Sequence, residues 1–300
     1  MLKIAWSEIY AHPLPVNHRF PMGKYDLLPR QLLHEGTITE ENLFSPRILT
    51  VDEILSVHKE EYWSRLNALE LTRSEQRKSG FPLSRQLVDR EITINAGTLQ
   101  ATEFALEYGI AMNIAGGTHH AFTDRAEGFC LLNDIAIASM HLLQKEKARQ
   151  ILVVDLDVHQ GNGTAEIFQN EPRVFTFSMH GARNYPYRKE QSDLDIGLPD
   201  GIDDNPYLKI LDFHLNQLID SLEPDFIFFQ SGVDVLASDK IGRLGLSMQG
   251  CKERDRLVME LAKTKEIPVV ASMGGGYSPE LKTIVEAHAN TYRVAQEVYF

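Results

Sequence analysis

The chain has 300 residues, 43% of them apolar and 24% charged, the balance of an ordinary globular protein. A formal net charge of −12 argues against direct contact with nucleic acid, which needs a basic footprint, and is compatible with a cationic small substrate or a basic protein segment. No run of about 18 uncharged apolar residues exists to cross a membrane, and the two cysteines, Cys130 and Cys251, are too few for a disulfide framework. The first residues lack the apolar region of a signal peptide, so the expected compartment is the reducing cytoplasm.

Apolar runs predict strands near residues 3–9, 110–115, 151–157, 174–178, 226–231 and 267–272. Apolar residues at helical spacing predict helices over 93–109, 130–147, 206–223 and 251–265, with a last helix closing the chain. Strands alternating with helices of this length imply an α/β fold, a parallel sheet with helices on both faces. No internal repeat or composition break divides the sequence, which reads as a single domain over residues 1–300. Segments 10–50 and 180–206, with their Pro, Gly and Asp clusters, read as loops, and loops of that length are often functional.

The chemistry concentrates at the ends of the predicted strands. In ILVVDLDVHQGNG, Asp155, Asp157 and His159 alternate, so an extended strand would point all three to one face. That density of buried charge needs a positive neutraliser, and Asp with His suits zinc or another first-row divalent ion. GGTHHAF places His119 and His120 behind two glycines at the end of a second run. FIFFQSGVDVLASD carries Asp234, and IPVVASMGGGYSP ends in Gly274-Gly275-Gly276-Tyr277, where a triple glycine permits close backbone approach. Each feature alone has a bland reading, as a solvated strand end or a satisfied core histidine. Together they place polar groups at the carboxyl ends of four strands, where open α/β sheets put their sites.

With these residues in view, the chain resembles the arginase/deacetylase superfamily and, more narrowly, a histone-deacetylase-like amidohydrolase. GGTHHAF, GFCLLND, DLDVHQGNGT, SGVDVLASDKIGRLGLS and GGGYSP occur in family order over roughly residues 8–290. Gln160 and Asn162, together with HRFPMGKY near the N-terminus, look closest to the class IV branch and its bacterial relatives. The resemblance implies a zinc-dependent hydrolase of N-acyl-lysine or a related acylated amine, with one Zn2+ per chain.

Carried over residue by residue, the resemblance makes Asp157, His159 and Asp234 the zinc ligands and His120 the general base and acid. His119 becomes its electrostatic partner, oriented by Asp155, and Tyr277 the donor to the oxyanion. Backbone carbonyls around Asp155, Asp157, His159 and Ser178 match a structural K+ site. Gly128, Phe129, Tyr185 and Gly275 are assigned to substrate binding, with Phe129 and Tyr185 as facing aromatic walls around a lysine stem. Asn162 stands behind His120 where many class I members have an acid, which lowers the stabilisation of an imidazolium there. The glycine run before Tyr277 is three long, against four in some relatives. Cys130 reads as a buried structural thiol.

Three other functions compete. Acetylpolyamine hydrolysis uses the same chemistry on a cationic small molecule. Guanidine hydrolysis with two manganese ions needs further acids and a second metal-binding histidine. An acyl-lysine-binding module without catalysis would lack a ligand, a histidine or the tyrosine, and all are present here.

Overall fold

A computed structural model describes all 300 residues, Met1–Phe300. Its strands are β1 (Lys3–Ala5), β2 (Leu43–Phe44), β3 (Ile110–Asn113), β4 (Ile151–Asp155), β5 (Val174–Gly181), β6 (Leu194–Leu198), β7 (Phe226–Gln230) and β8 (Val269–Ser272). They form one eight-stranded sheet in the order β2-β1-β3-β8-β7-β4-β5-β6, and every neighbouring pair is parallel. The helices are α1 (Lys24–His34), α2 (Val51–Leu55), α3 (Glu60–Asn67), α4 (Arg73–Ser79), α5 (Arg85–Tyr108), α6 (Asp134–Gln144), α7 (Asn162–Phe168), α8 (Asp204–Leu222), α9 (Met248–Thr264) and α10 (Leu281–Tyr299). This is the α/β architecture that the sequence predicts, a parallel sheet covered by helices. No helix is long and apolar enough to cross a membrane.

The central strands β3, β8, β7 and β4 are buried at every residue. A parallel strand covered on both faces has no polar side, which is why these strands open as the continuous apolar runs IAM, VVA, FIFF and ILVV. The helices that cover them are stopped by local chemistry. Ser84 accepts a hydrogen bond from the Leu87 amide at the start of α5, and Gly109, with φ of 84°, ends it and turns the chain directly into β3. Asn133 caps α6 by accepting from the Ala136 amide.

Three expectations need correction. Segment 3–9 is a strand only to Ala5, followed by a 3-10 turn at Glu8–Tyr10. Segment 180–206 contains β6, an edge strand with one neighbour and an exposed face, so it lacks the apolar run of a central strand. Segment 10–50 contains α1, which holds a proline at its sixth residue. Pro29 cannot donate to the Tyr25 carbonyl one turn earlier, and the indole Nε1–H of Trp6 donates to that carbonyl instead, at 3.1 Å. A tertiary contact therefore offsets the loss that made the helix illegible.

Candidate active site

The four central strands bring their carboxyl ends together: Asp155 ends β4, and the loops leaving the strands carry His119, His120, Gly128, Phe129, Asp157, His159, Asp234, Gly275 and Tyr277, while Asn162 opens α7, Ser178 lies on β5 and Tyr185 follows it. The geometry differs in one respect from a simple strand alternation. β4 stops at Asp155, and Asp157 and His159 lie in the loop beyond it. The Asp157 amide donates back to Asp155 Oδ1 at 3.2 Å and the His159 amide donates to Asp157 Oδ1 at 3.0 Å. Each aspartate thus captures the backbone N–H two residues on, the local turn that competes with a strand ladder.

This turn folds His159 onto two carboxylates. His159 Nδ1 lies 3.0 Å from Asp157 Oδ1 and 3.2 Å from Asp234 Oδ2. The three side chains are buried, and one donor atom from each lies within 4.8 Å of the others. Asp234 Oδ1 accepts from the Val158 amide at 3.0 Å, and Asp157 Oδ2 from the Gly275 amide at 2.8 Å. Asp234 Oδ2 is close to the imidazole but makes no hydrogen bond, an orphaned anionic oxygen in the interior. A Cβ on Gly275 would run into that oxygen, and one on Gly232 into Asp157 Oδ2.

The protonation of the cluster shows the same deficit of positive charge. Burial and the neighbouring Asp157 push the Asp234 carboxyl up to about 7. Burial pulls the His159 imidazole down, but the Asp157 and Asp234 carboxylates outweigh it and push it up to about 10. The proton held there occupies the place a cation would take. Two carboxylates and an imidazole, with an orphaned oxygen and a glycine cradle, fit a divalent first-row ion.

His119 and His120 follow β3 with ring centroids 4.1 Å apart. Their loop is tied to the first residue of α6: Asp134 accepts from the amides of Gly117 (3.0 Å) and Thr118 (2.7 Å) and from the hydroxyls of Thr118 (2.7 Å), Thr98 (2.6 Å) and Ser272 (3.2 Å). His119 Nδ1 bonds Asp155 Oδ2 at 2.7 Å, and His120 Nδ1 bonds Asn162 Oδ1 at 2.6 Å. Both rings are buried, yet they titrate oppositely. For His119, burial is outweighed by Asp155 and Asp157, and its pKa rises. For His120, burial and then the neighbouring His119 and His159 hold it well below the usual imidazole value, so it is a neutral base.

Tyr277 ends the glycine loop after β8. The Val233 amide donates to the Gly275 carbonyl at 2.9 Å, and the Tyr277 amide to Asp239 Oδ2 at 2.6 Å. Lys24, fully buried on α1, donates from Nζ to the Gly274 carbonyl at 3.0 Å and lies 5.9 Å from the centroid of the Tyr277 ring. Burial, then Asp234 and Asp157, raise the Tyr277 phenol well above its usual value, so it remains a donor.

Gly128 and Phe129 both adopt positive φ, 54° and 68°. A Cβ on Gly128 would run into the His120 ring. Phe129 packs in an aromatic cluster, with centroids 5.0 Å from Phe20, 5.2 Å from Phe81 and 6.0 Å from Tyr277. Tyr185 stands elsewhere on the site, 5.1 Å from His120 and 6.3 Å from His159. A narrow cavity of about 40 Å³ is lined by Phe129, Tyr277, His120, Asp157, His159 and Asp234 among others. Burial pushes the Cys130 thiol well up, as a structural cysteine requires. Phe20, Phe81, Lys24 and Asp134 also support the site, and no strand-end pattern in the sequence marks them. Lys24 and Phe20 lie within the HRFPMGKY motif and Asp134 within GFCLLND, but the partner of each is set only by the fold.

Comparison with known proteins gives the same outline. The histone deacetylase domain model matches residues 18–292. An uncharacterised protein of Picosynechococcus sp. is 44% identical over 99% of both chains. Histone deacetylase 2 of Arabidopsis thaliana is 29% identical, covering 87% of this chain and 70% of its own. The acetoin utilization protein AcuC of Staphylococcus aureus is 28% identical, covering 86% and 72%. The crystal structure of a histone deacetylase homologue complexed with SAHA superposes with a TM-score of 0.84 at 27% identity, over 97% of this chain and 82% of that one. The homologue from Aquifex aeolicus gives 0.83 at the same identity and coverage. With the domain model spanning nearly its whole length, the chain belongs to the histone deacetylase family.

Proposed function

We propose that the chain is a zinc-dependent hydrolase that removes an acetyl or longer acyl group from the side-chain amine of lysine. The observation that carries this reading is the buried Asp157–His159–Asp234 cluster with its orphaned carboxylate oxygen, set beside a neutral His120 and a protonated Tyr277. Asp157, His159 and Asp234 would hold the metal. A zinc ion bound there supplies Lewis-acid polarisation of the acyl carbonyl and lowers the pKa of a water.

The remaining steps belong to side chains. His120 has Nδ1 committed to Asn162, so Nε2 is its free nitrogen. Nε2 takes a proton from the attacking water as the carbon–oxygen bond forms, and returns it to the amine nitrogen as the carbon–nitrogen bond breaks. His119, whose imidazolium form is favoured by its hydrogen bond to Asp155, offsets the anionic charge around it. The Tyr277 hydroxyl donates to the carbonyl oxygen as that oxygen gains charge. Phe129 and Tyr185 would flank the methylene stem of the lysine, and Gly128 and Gly275, lacking a Cβ, leave room for the His120 ring and the Asp234 carboxylate beside it. That a homologue of this fold binds SAHA supports a small-molecule site in the family.

A panel of acyl-lysine peptides and acetylpolyamines, assayed with the zinc-loaded protein, tests the substrate class. Turnover of acyl-lysine is expected. Turnover of acetylpolyamines with none on any acyl-lysine peptide would assign the same chemistry to a small-molecule substrate, and turnover of neither would favour a binding module.

A further inference from the structure

His120 is paired with an amide rather than an acid, and an amide is ambiguous. The carbonyl and amino ends of Asn162 are nearly the same shape, one accepting and the other donating. If Oδ1 faces the imidazole, as here at 2.6 Å, Nδ1 carries the ring proton and Nε2 is a free base. If the amide turned over, its NH2 would face Nδ1, Nδ1 would have to accept, and the ring proton would sit on Nε2. The ring would then be unable to take a proton at the nitrogen left for the cavity. Nothing in Asn162 itself selects between the two states.

Glu127 does. Its carboxylate Oε1 accepts from Asn162 Nδ2 at 3.1 Å. A carboxylate offers no donor to an amide carbonyl, so only the amino end of Asn162 can face it, and the carbonyl end is left for His120. Oε1 also accepts from the Tyr185 hydroxyl. Glu127 is itself fixed: its backbone exchanges hydrogen bonds with Cys130 at 3.0 and 2.9 Å, closing a tight turn with Gly128 and Phe129 at the tip. Its side chain is only 18% exposed, and Arg125 Nε approaches Oε2 at 3.8 Å.

We propose that Glu127 is a positioning residue that sets the His120 tautomer through Asn162 and, with the same oxygen, holds Tyr185 in place over the imidazoles. One carboxylate at the rim thereby ties an aromatic wall of the site to the histidine that moves the proton. The proposal rests on the deacylase reading for what His120 does, but the tautomer itself does not depend on a substrate.

The test combines a double-mutant cycle with a direct view of the ring. In Glu127→Ala, kcat falls by about 10- to 100-fold, the usual range for a partner once removed from the reacting groups. Glu127→Gln, whose amide oxygen can still accept from Asn162, recovers most of the loss and controls for folding. An aspartate at position 162 accepts from Nδ1–H whichever way it turns, so in an Asn162→Asp background Glu127→Ala no longer lowers kcat, and the loss of the Tyr185 contact is read in KM. Nitrogen-15 chemical shifts of His120 in the zinc-loaded protein report Nδ1–H in the parent and a gain of Nε2–H in Glu127→Ala. An unchanged Nδ1–H tautomer in Glu127→Ala, or an equal loss of kcat in both backgrounds, overturns the proposal. If the tautomer shifts while the parent hydrolyses no acylated amine, the assignment of Glu127 stands and the deacylase reading fails.

Discussion

Asp155 Oδ2 takes the hydrogen bond of His119 Nδ1 at 2.7 Å, and this pairing separates two adjacent imidazoles that are equally buried. His119 has a carboxylate partner and its pKa rises; His120 has an amide and its pKa falls. Adjacent titratable groups pushed apart in this way take different proton-transfer roles. His120→Ala therefore keeps its metal and loses about 100- to 10,000-fold in kcat, the worth of a general base. Asp155→Asn loses about 10- to 100-fold, as expected for a residue acting through another. Steady-state kinetics with metal analysis checks both, and equal losses in the two variants would contradict the division of roles.

Tyr277 keeps its proton because burial and the Asp234 and Asp157 carboxylates raise its phenol. Tyr277→Phe should lower kcat by about 100- to 1000-fold, the cost of one oxyanion donor. KM should move little, because the bond strengthens only as charge develops on the carbonyl oxygen. Turnover at the parent rate would show that another group stabilises that oxygen.

The sequence was most informative where burial left no choice. β4 and β7 read directly as ILVV and FIFF because a strand covered on both faces cannot alternate. The same logic failed for β6, an edge strand with one solvent face, and for α1, whose Pro29 is a helix-breaking signal that only the Trp6 indole resolves. The N-terminus of α4 carries a local mark in the sequence: Thr72 and Glu75 cap each other's backbone amides in the T-x-x-E pattern. Within the site, Asp157, His159, Asp234, the histidine pair and Tyr277 were visible because they end recognisable runs. Lys24 and Glu127 were not, since Lys24 meets Gly274 across 250 positions and Glu127 meets Tyr185 across 58.

Arg254 on α9 underlies the cluster of Asp157, His159 and Asp234. It is fully buried against Asp255 at 2.7 Å, and its guanidinium donates to the carbonyls of Gly232 (2.5 Å), Leu156 (3.2 Å) and Ser231 (3.3 Å). These carbonyls belong to the loops after β4 and β7 that present Asp157 and Asp234. Arg254→Met strands a buried carboxylate and three acceptors, and should destabilise the protein by about 3–5 kcal/mol. Arg254→Lys should restore little, because a single ammonium cannot reproduce the planar fork. Denaturant unfolding measures the loss, and an unaffected midpoint would contradict it.

Metal loading should depend on pH in a defined direction. Burial and Asp157 raise the Asp234 carboxyl, and the Asp157 and Asp234 carboxylates outweigh burial and raise the His159 imidazole, so both hold their protons above their ordinary values. Both must be bare to bind a cation, so affinity rises with pH and falls with acid. The dissociation constant should therefore fall as pH rises through the neutral range, by up to about tenfold per pH unit for each proton displaced. Competition with a chromophoric chelator across this range reads the slope, and an affinity flat between pH 6 and 8 would contradict the site.

The central claim is that Asp157, His159 and Asp234 hold one metal ion on which amide hydrolysis depends. The most direct measurement is hydrolysis of an acetyl-lysine peptide by chelator-stripped protein titrated with zinc. Activity should be absent at the start and rise to a plateau at one equivalent per chain, and Asp234→Ala should stay inactive at every zinc concentration. Full turnover in the stripped protein, or a plateau reached only with two equivalents of manganese, would contradict it.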